Sequence, residues 1–450
     1  MQKCKVGHLF GLGFLAVLLI FTPAIAKAEV TLIDNGGFKA GLSLEMAAAV
    51  IAIQNANFDN VTYDDTDEDR GYFDGFIKPI LNLSYDTAAA GSFYGGLSYA
   101  ATGSYGNDGQ WDMWKGNTED IKSEQLYIGW KSGQLFSLED DLLDLSFGEQ
   151  EFQIGDGFLV YDGEFDGQYG AYWTAPHKSF DNTAVVRLNT TPVRADFFYL
   201  KSDDDYGDTE LYGINVEHIN DTLGTIGATW MTVTDSIDGT YGNRKGMDVY
   251  SLRGQGTPFA SMGLADLFLS AEYAKEMSGD RVEKDATGWY AEAGYTVSAL
   301  PWTPTLSYRY AFFSGDDAGT ADDESFDPLF YGFSRGWGTH FMGEIVGEYQ
   351  LFNSNQKTQM VKLNLQPTES LSVGGIYYDF KLDQKNVYGV PVTSDKFANE
   401  IDLYADYAVN DNLWLTAVFA LATPDDAWKE YDGGVAEDTK LFEIGAFLYF

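Results

Sequence analysis

Thr439-Lys440-Leu441-Phe442-Glu443-Ile444-Gly445-Ala446-Phe447-Leu448-Tyr449-Phe450 closes the chain. Phe442, Ile444, Ala446, Leu448 and Phe450 share one face of an extended segment, and Glu443, Gly445, Phe447 and Tyr449 share the other. That period of two marks a β-strand. A bare strand at the end of a soluble chain invites edge-to-edge aggregation. A closed barrel removes the hazard, because its last strand pairs with its first. The expected fold is all-β: a transmembrane antiparallel up-and-down β-barrel of the bacterial outer membrane. Its closing strand, with Phe442, Ile444, Leu448 and Phe450 turned to lipid, is also the segment that a barrel-assembly machinery would take.

At the other end, residues 1–28 read as a secretory signal peptide. Lys3 and Lys5 give a basic start, Gly7 to Ile20 is largely apolar, and Ala26-Lys27-Ala28 is a small-x-small cleavage site. A retained spanning helix fits less well, since the apolar run is short and broken by Gly11, Gly13 and Pro23. The mature chain, residues 29–450, is expected to form one barrel. Cys4, the only cysteine, leaves with the leader, and disulfides, thiolate metal sites and cysteine nucleophiles leave with it.

About 422 mature residues at about 23 per strand and its share of turn and loop give roughly 18 strands, with 16 to 20 admissible. The formal charge is −40. A chain this acidic has no clustered Lys and Arg with which to hold nucleic acid. Much of the acidity lies in Asp64 to Asp69, Asp203 to Asp208, Asp316 to Asp327 and Asp425 to Asp438, each between strand patterns and so expected to be a solvated loop.

The first mature strand is expected at about Phe38 to Gln54. Phe38, Ala40, Leu42 and Leu44 alternate with Lys39, Gly41, Ser43 and Glu45, and the alternation then blurs into the apolar run Ala47 to Ile53. The second sets Ile77, Pro79, Leu81, Leu83 and Tyr85 against Lys78, Asn82, Ser84 and Asp86. Short connections recur at Thr87–Gly91, Thr190–Pro192, Asn220–Leu223, Ala299–Pro301 and Asn410–Asn412, with longer ones between. That is the topology of a barrel with short periplasmic turns and long outer loops. In the later hairpins one face stays free of charge, as lipid contact demands, while the other carries Glu272, Glu292, Arg309, Asp402 and Asp406. A dry soluble core would not accept those charges, and a water-filled lumen would.

Three stretches resemble the alginate export family of outer-membrane porins. They are Leu145 to Phe152 with Gly155-Asp156-Gly157 and Phe165-Asp166-Gly167; Ser314-Gly315-Asp316-Asp317 with Phe326-Asp327-Pro328-Leu329-Phe330; and Asn399-Glu400-Ile401-Asp402-Leu403. The resemblance implies a monomeric barrel of about 18 strands that passes a hydrophilic solute. The family's first motif usually reads Gly-Arg-Gln, and here Glu149 takes the arginine's place. A pore for a polyanion should attract it electrostatically, and Glu149 reverses that charge.

Candidate pore-lining residues are Lys78, Glu149, Arg187, Arg194, Glu272, Glu292, Arg309, Lys362, Asp402 and Asp406. The segment Ser314 to Gly336, with Phe326, Asp327 and Phe330, is expected either to fold inward as a constriction or to lie outside as a lid, because its aromatics need shelter. No catalytic residues are expected. His177, His218 and His340 sit in no recognisable Ser or Asp motif. No metal site is expected, either. Asp65 to Asp69 imitates a calcium loop, but Arg70 and Phe76 stand where Gly and Glu belong. Loose Ca²⁺ or Mg²⁺ binding at acidic outer loops is the alternative to plain solvation. The reading that follows is a passive outer-membrane porin with an acidic lumen for small hydrophilic solutes, neutral or cationic. Polysaccharide export, or an enzyme or adhesin, are the other classes.

Overall fold

The computed structural model describes residues 29–59, 69–87, 90–107, 115–137, 140–164, 169–202, 208–220, 223–237, 244–280, 282–332, 342–434 and 436–450. Residues 1–28, the expected signal peptide with Cys4, the calcium-like Asp65 to Glu68, Phe165-Asp166-Gly167, most of Asp203 to Asp208, His340, and the end of Ser314 to Gly336 lie outside the described residues.

The chain forms a closed antiparallel barrel of 18 strands. A short strand, β1 (Val30–Asn35), folds back on the start of β2 (Phe38–Gln54), whose bounds match the sequence expectation. The wall continues through β3 (Asp69–Asp86), β4 (Ser92–Asn107), β5 (Lys115–Lys131), β6 (Leu143–Gln150), β7 (Phe180–Asn189) and β8 (Val193–Lys201). Next come β9 (Glu210–Asn220), β10 (Gly224–Asp235), β11 (Asp248–Gly256), β12 (Leu267–Ser278), β13 (Lys284–Thr296) and β14 (Thr305–Phe313). After a long connection follow β15 (Gln356–Thr368) and β16 (Leu371–Leu382). A small hairpin of β17 (Asn386–Val387) and β18 (Val390–Pro391) stands apart from the wall, and β19 (Lys396–Ala408), β20 (Leu413–Pro424) and β21 (Thr439–Tyr449) complete it.

Closure is made by the C-terminal strand β21. β21 pairs with β2 from Glu45↔Tyr449 to Gln54↔Lys440. The amide of Phe450 then donates to the Leu44 carbonyl at 2.9 Å, so pairing continues to the last residue. No helix among the described residues is long and apolar enough to cross a membrane; the strands do so.

Parity along the strands separates the two faces. Phe442, Ile444, Ile401, Leu403, Leu306, Tyr308, Leu126 and Ile128 are exposed on the outside, while Glu443, Glu400, Asp402 and Arg309 are buried within. At Pro79, which has no amide to donate, the β3–β4 pairs at Lys78 and Pro79 are missing, yet the register resumes unchanged at Ile80↔Ser98.

The blurred run Ala47 to Ile53 has a structural cause. Its inward positions, Ala47, Ala49, Ile51 and Ile53, are almost fully buried against segments that enter the barrel from the long-loop end. The interior is therefore not uniformly water-filled, as the charged inner faces suggested. Two apolar clusters occupy the long-loop half. One joins Ile51 and Ile53 to Trp173, Ile345, Val346, Phe380 and Trp428. The other joins Val185, Leu200, Met231 and Phe313 to Phe158, Phe326 and Phe330. Loops that enter the lumen carry apolar side chains, so the wall facing them is apolar too.

Candidate pore and the segments that narrow it

Two connections fill the long-loop half. Residues 151–179 leave β6, and residues 314–355 leave β14. They are zipped together inside the barrel: the amides of Tyr161 and Asp162 donate to the Phe330 carbonyl (2.8 and 3.1 Å), Phe330 to Leu159 (3.0 Å), and Gly332 to Gly157 (2.9 Å). Gly157, at φ +84°, is required there, because a Cβ would stand 2.1 Å from the Gly332 carbonyl oxygen. Phe158 packs on Tyr290, Phe313 and Phe326 at ring distances of 5.5, 5.9 and 6.2 Å, and Phe180 meets Phe330 edge-on at 5.1 Å. Phe326 and Phe330 are buried inside the barrel rather than turned outward, the placement a constriction would require.

Asp327 is buried, unlike the solvated acid expected of its cluster. Arg244 grips it with two hydrogen bonds, Nε to Oδ2 at 2.7 Å and Nη2 to Oδ1 at 2.8 Å. Burial alone would raise the carboxyl's pKa, but the Arg244 charge and hydrogen bonds, with Lys284 nearby, hold it below the ordinary carboxylate range. Glu400 anchors the far end of the same connection, accepting from the amides of Ile345 (2.9 Å) and Val346 (2.7 Å) at the head of the helical segment Gly343–Leu351.

The connection 151–179 is tied to the wall by a buried polar network. Lys78, 3% exposed, pairs with Glu45 at 2.9 Å and Glu151 at 3.8 Å and donates to the Pro176 carbonyl at 3.1 Å. Lys178 donates to the Tyr161 hydroxyl at 3.2 Å. Burial raises the Asp162 carboxyl to about 7 against the pull of Lys178. Between β4 and β5 the register slips at Ser98 and Tyr99, and the extra residue of this bulge is Glu124 of β5, which turns fully inward. There its Oε2 lies 3.1 Å from His177 Nδ1, Glu164 Oε2 lies 3.5 Å from the same nitrogen, and Lys122 pairs with Glu164.

Below these segments, toward the short turns, the wall encloses a polar cavity of about 370 Å³. Asp156, Arg194, Asp196, Asn215, Glu217, Arg253, Glu272 and Tyr290 line it. Arg253 donates to Glu217 (2.6 Å) and Thr229 (2.9 Å), Ser251 donates to Glu272 (2.5 Å), and Arg194 Nη2 donates to Asp196 (3.1 Å).

Nine of the ten pore-lining candidates share the inward face. Arg194 and Glu272 line the cavity. Arg187 lies 4.0 Å from Asp144 and 3.5 Å from Asp196. Glu292 and Arg309 form a buried pair at 2.9 Å, Lys362 lies over the Tyr404 ring, Asp406 accepts from Thr416 at 2.8 Å, and Lys78 and Asp402 are buried in the inner wall. Glu149 is the exception. It pairs with Leu126 on the strand face of Phe147 and Ile128, whose side chains are exposed outside, while Gln150 turns inward. The positive φ of Gly148 (+118°) and the broken β6–β7 register accompany this placement. Sequence reasoning passed over Asp196, Glu217 and Arg253, although Asp196 shares the parity of Arg194. It also missed the Glu124–Glu164–His177 contact, for which a bulge gives no signal in residue types.

A family model described as alginate export matches residues 176–440. The chain belongs to the alginate export family. No curated protein shows significant similarity to this family member. Among solved structures it resembles three Pseudomonas aeruginosa proteins. OccK7 (OpdD) has TM-score 0.55 and 11% identity, with 91% of this chain and 98% of that one covered. OccK8 (OprE) has 0.55 and 12%, covering 92% and 99%. The outer membrane protein OprD has 0.54 and 14%, covering 91% and 92%. At such identities the likeness is one of fold, and that fold is the 18-strand outer-membrane porin barrel.

Proposed function

We propose that this alginate-export-family barrel is a passive outer-membrane porin for small hydrophilic solutes, with a preference for neutral and cationic ones. The observation that carries the reading is the lining of the 370 Å³ cavity, where four carboxylates (Asp156, Asp196, Glu217 and Glu272) face two guanidinium groups (Arg194 and Arg253). Confined in a narrow low-dielectric passage, an excess of two formal negative charges favours cations. The short turns then face the periplasm and the inserted connections face outward.

The test is a planar bilayer under a salt gradient. Stepwise conductance with a reversal potential on the cation side is expected; no conductance, or anion preference, refutes the proposal. A second reading, export of an acidic polysaccharide such as alginate, draws on the family match and on Arg194 and Arg253 in the lining. Block by oligouronates at low salt, without block by neutral sugars or cationic solutes, would favour it.

A further inference from the structure

We infer that Glu124, Glu164 and His177 form a binding site for one divalent transition-metal ion, with Zn²⁺ as the natural probe, inside the barrel. The donor set is mixed: one imidazole nitrogen and two carboxylate oxygens, all buried and all within 4.8 Å of one another. Imidazole with carboxylate suits zinc and its first-row neighbours rather than calcium or magnesium.

Three features of the contact fit a metal. Bonds of about 2.0–2.2 Å in a tetrahedron put neighbouring donors about 3.3–3.6 Å apart. The two separations from His177 Nδ1, 3.1 and 3.5 Å, need shifts of only tenths of an ångström to meet that. Each carboxylate also has its outer oxygen held: Glu124 Oε1 accepts from the amides of Lys178 (2.9 Å) and Ser179 (3.3 Å) and from the Ser179 hydroxyl (3.3 Å), and Glu164 Oε1 accepts from Lys122. The remaining oxygen of each is thereby aimed at the imidazole, as ligating carboxylates are aimed by their outer partners.

The third feature is charge. The network around the site sets five carboxylates, Glu45 and Asp162 among them, against Lys78, Lys122 and Lys178. With a neutral imidazole, the form that binds metal, Glu45, Glu124, Glu151 and Glu164 alone outnumber the three lysines, and a divalent ion offsets the excess. The ligands come from β5 and from the middle and the far end of the connection 151–179. A bound ion would therefore clamp that connection to the wall.

The experiment uses the full barrel, purified in detergent, stripped with EDTA and titrated with ZnCl₂ and CoCl₂. One equivalent of Zn²⁺ per chain should survive dialysis, and the Co²⁺ form should show visible d–d absorption. Glu164→Gln and His177→Gln should each weaken Zn²⁺ binding at least about 10-fold, with the barrel's heat-modifiable migration retained. His218→Gln, on β9, should change nothing. Absence of stoichiometric binding overturns the inference, and so does an equivalent that survives both substitutions, which would place the ion on the acidic loops. Should His177→Gln fail to fold, Zn X-ray absorption of the native protein decides: imidazole scattering is expected, and an all-oxygen shell refutes the site.

Discussion

Asp327→Ala should loosen the constriction. Its partner Arg244 is 3% exposed, so the substitution leaves a guanidinium buried without the carboxylate that receives hydrogen bonds of 2.7 and 2.8 Å. Breaking a buried pair from one side costs about 3–5 kcal/mol. If the segment bearing Phe326 and Phe330 is held by about 5 kcal/mol, its released population rises from about 0.02% to between about 3% and 50%. Single-channel recording should then show a second, larger conductance level that the native protein lacks. The paired replacement Arg244→Met with Asp327→Leu removes both charges and fills the volume, and should largely restore the native level, because an apolar pair in place of a buried ion pair is close to neutral. If Asp327→Ala, still folded as a heat-modifiable barrel, gives the native conductance histogram, the Arg244–Asp327 pair does not hold the constriction.

Acid should act on the same contact. The folded pKa of Asp327 lies below its unfolded value near 3.8, so the pair's contribution is complete above that value and is lost as pH falls through the folded pKa; the larger conductance level should appear only below pH 3.8, and Asp327→Asn should show no such acid step. Phe158→Ala empties a site where three aromatic rings meet and should lower stability by about 3–5 kcal/mol, read as a lower thermal midpoint with the strand spectrum unchanged. Arg253→Gln removes one of the two positive charges in the cavity lining, and the reversal potential should move further to the cation side; a move toward anions would refute the charge accounting of the cavity.

The wall was legible because lipid imposes one rule on every strand. Ile401 and Leu403 against Asp402, or Leu306 and Tyr308 against Arg309, show the two faces without any knowledge of the partner strands. What lies inside was legible only in part. A charged inner residue such as Arg309 or Glu292 reveals its face by parity, but its partner is set by register, and register is not written in either strand alone. Ala47 to Ile53 seemed to lose its pattern because the rule on its inner side had changed from water to packed side chains. Glu149 was placed inward although it shares the parity of Leu145 and Phe147, and Glu124 was overlooked because the bulge that turns it inward depends on how β5 and β4 are matched.

The interior thus divides along the barrel axis by chemistry, and the division bears on how the two functions of a pore are assigned. On the proposed reading selectivity rests with the charges that line the cavity, Asp156, Asp196, Glu217, Glu272, Arg194 and Arg253, in the short-turn half. Narrowing needs a structure rigid enough to keep its place, and in the long-loop half apolar packing of Phe158, Phe313, Phe326 and Phe330 supplies it, pinned by Arg244 to Asp327. The link between the halves is short: Asp156 lines the cavity two residues before Phe158 enters the apolar cluster, and Tyr290 donates to Asp156 at 3.3 Å while its ring packs on Phe158. A change at Arg253 should consequently alter ion preference without a new conductance level, and a change at Asp327 should do the reverse. Tyr290→Phe, which keeps the ring and removes the hydroxyl, touches both halves at their junction and should shift ion preference while leaving the constriction packed.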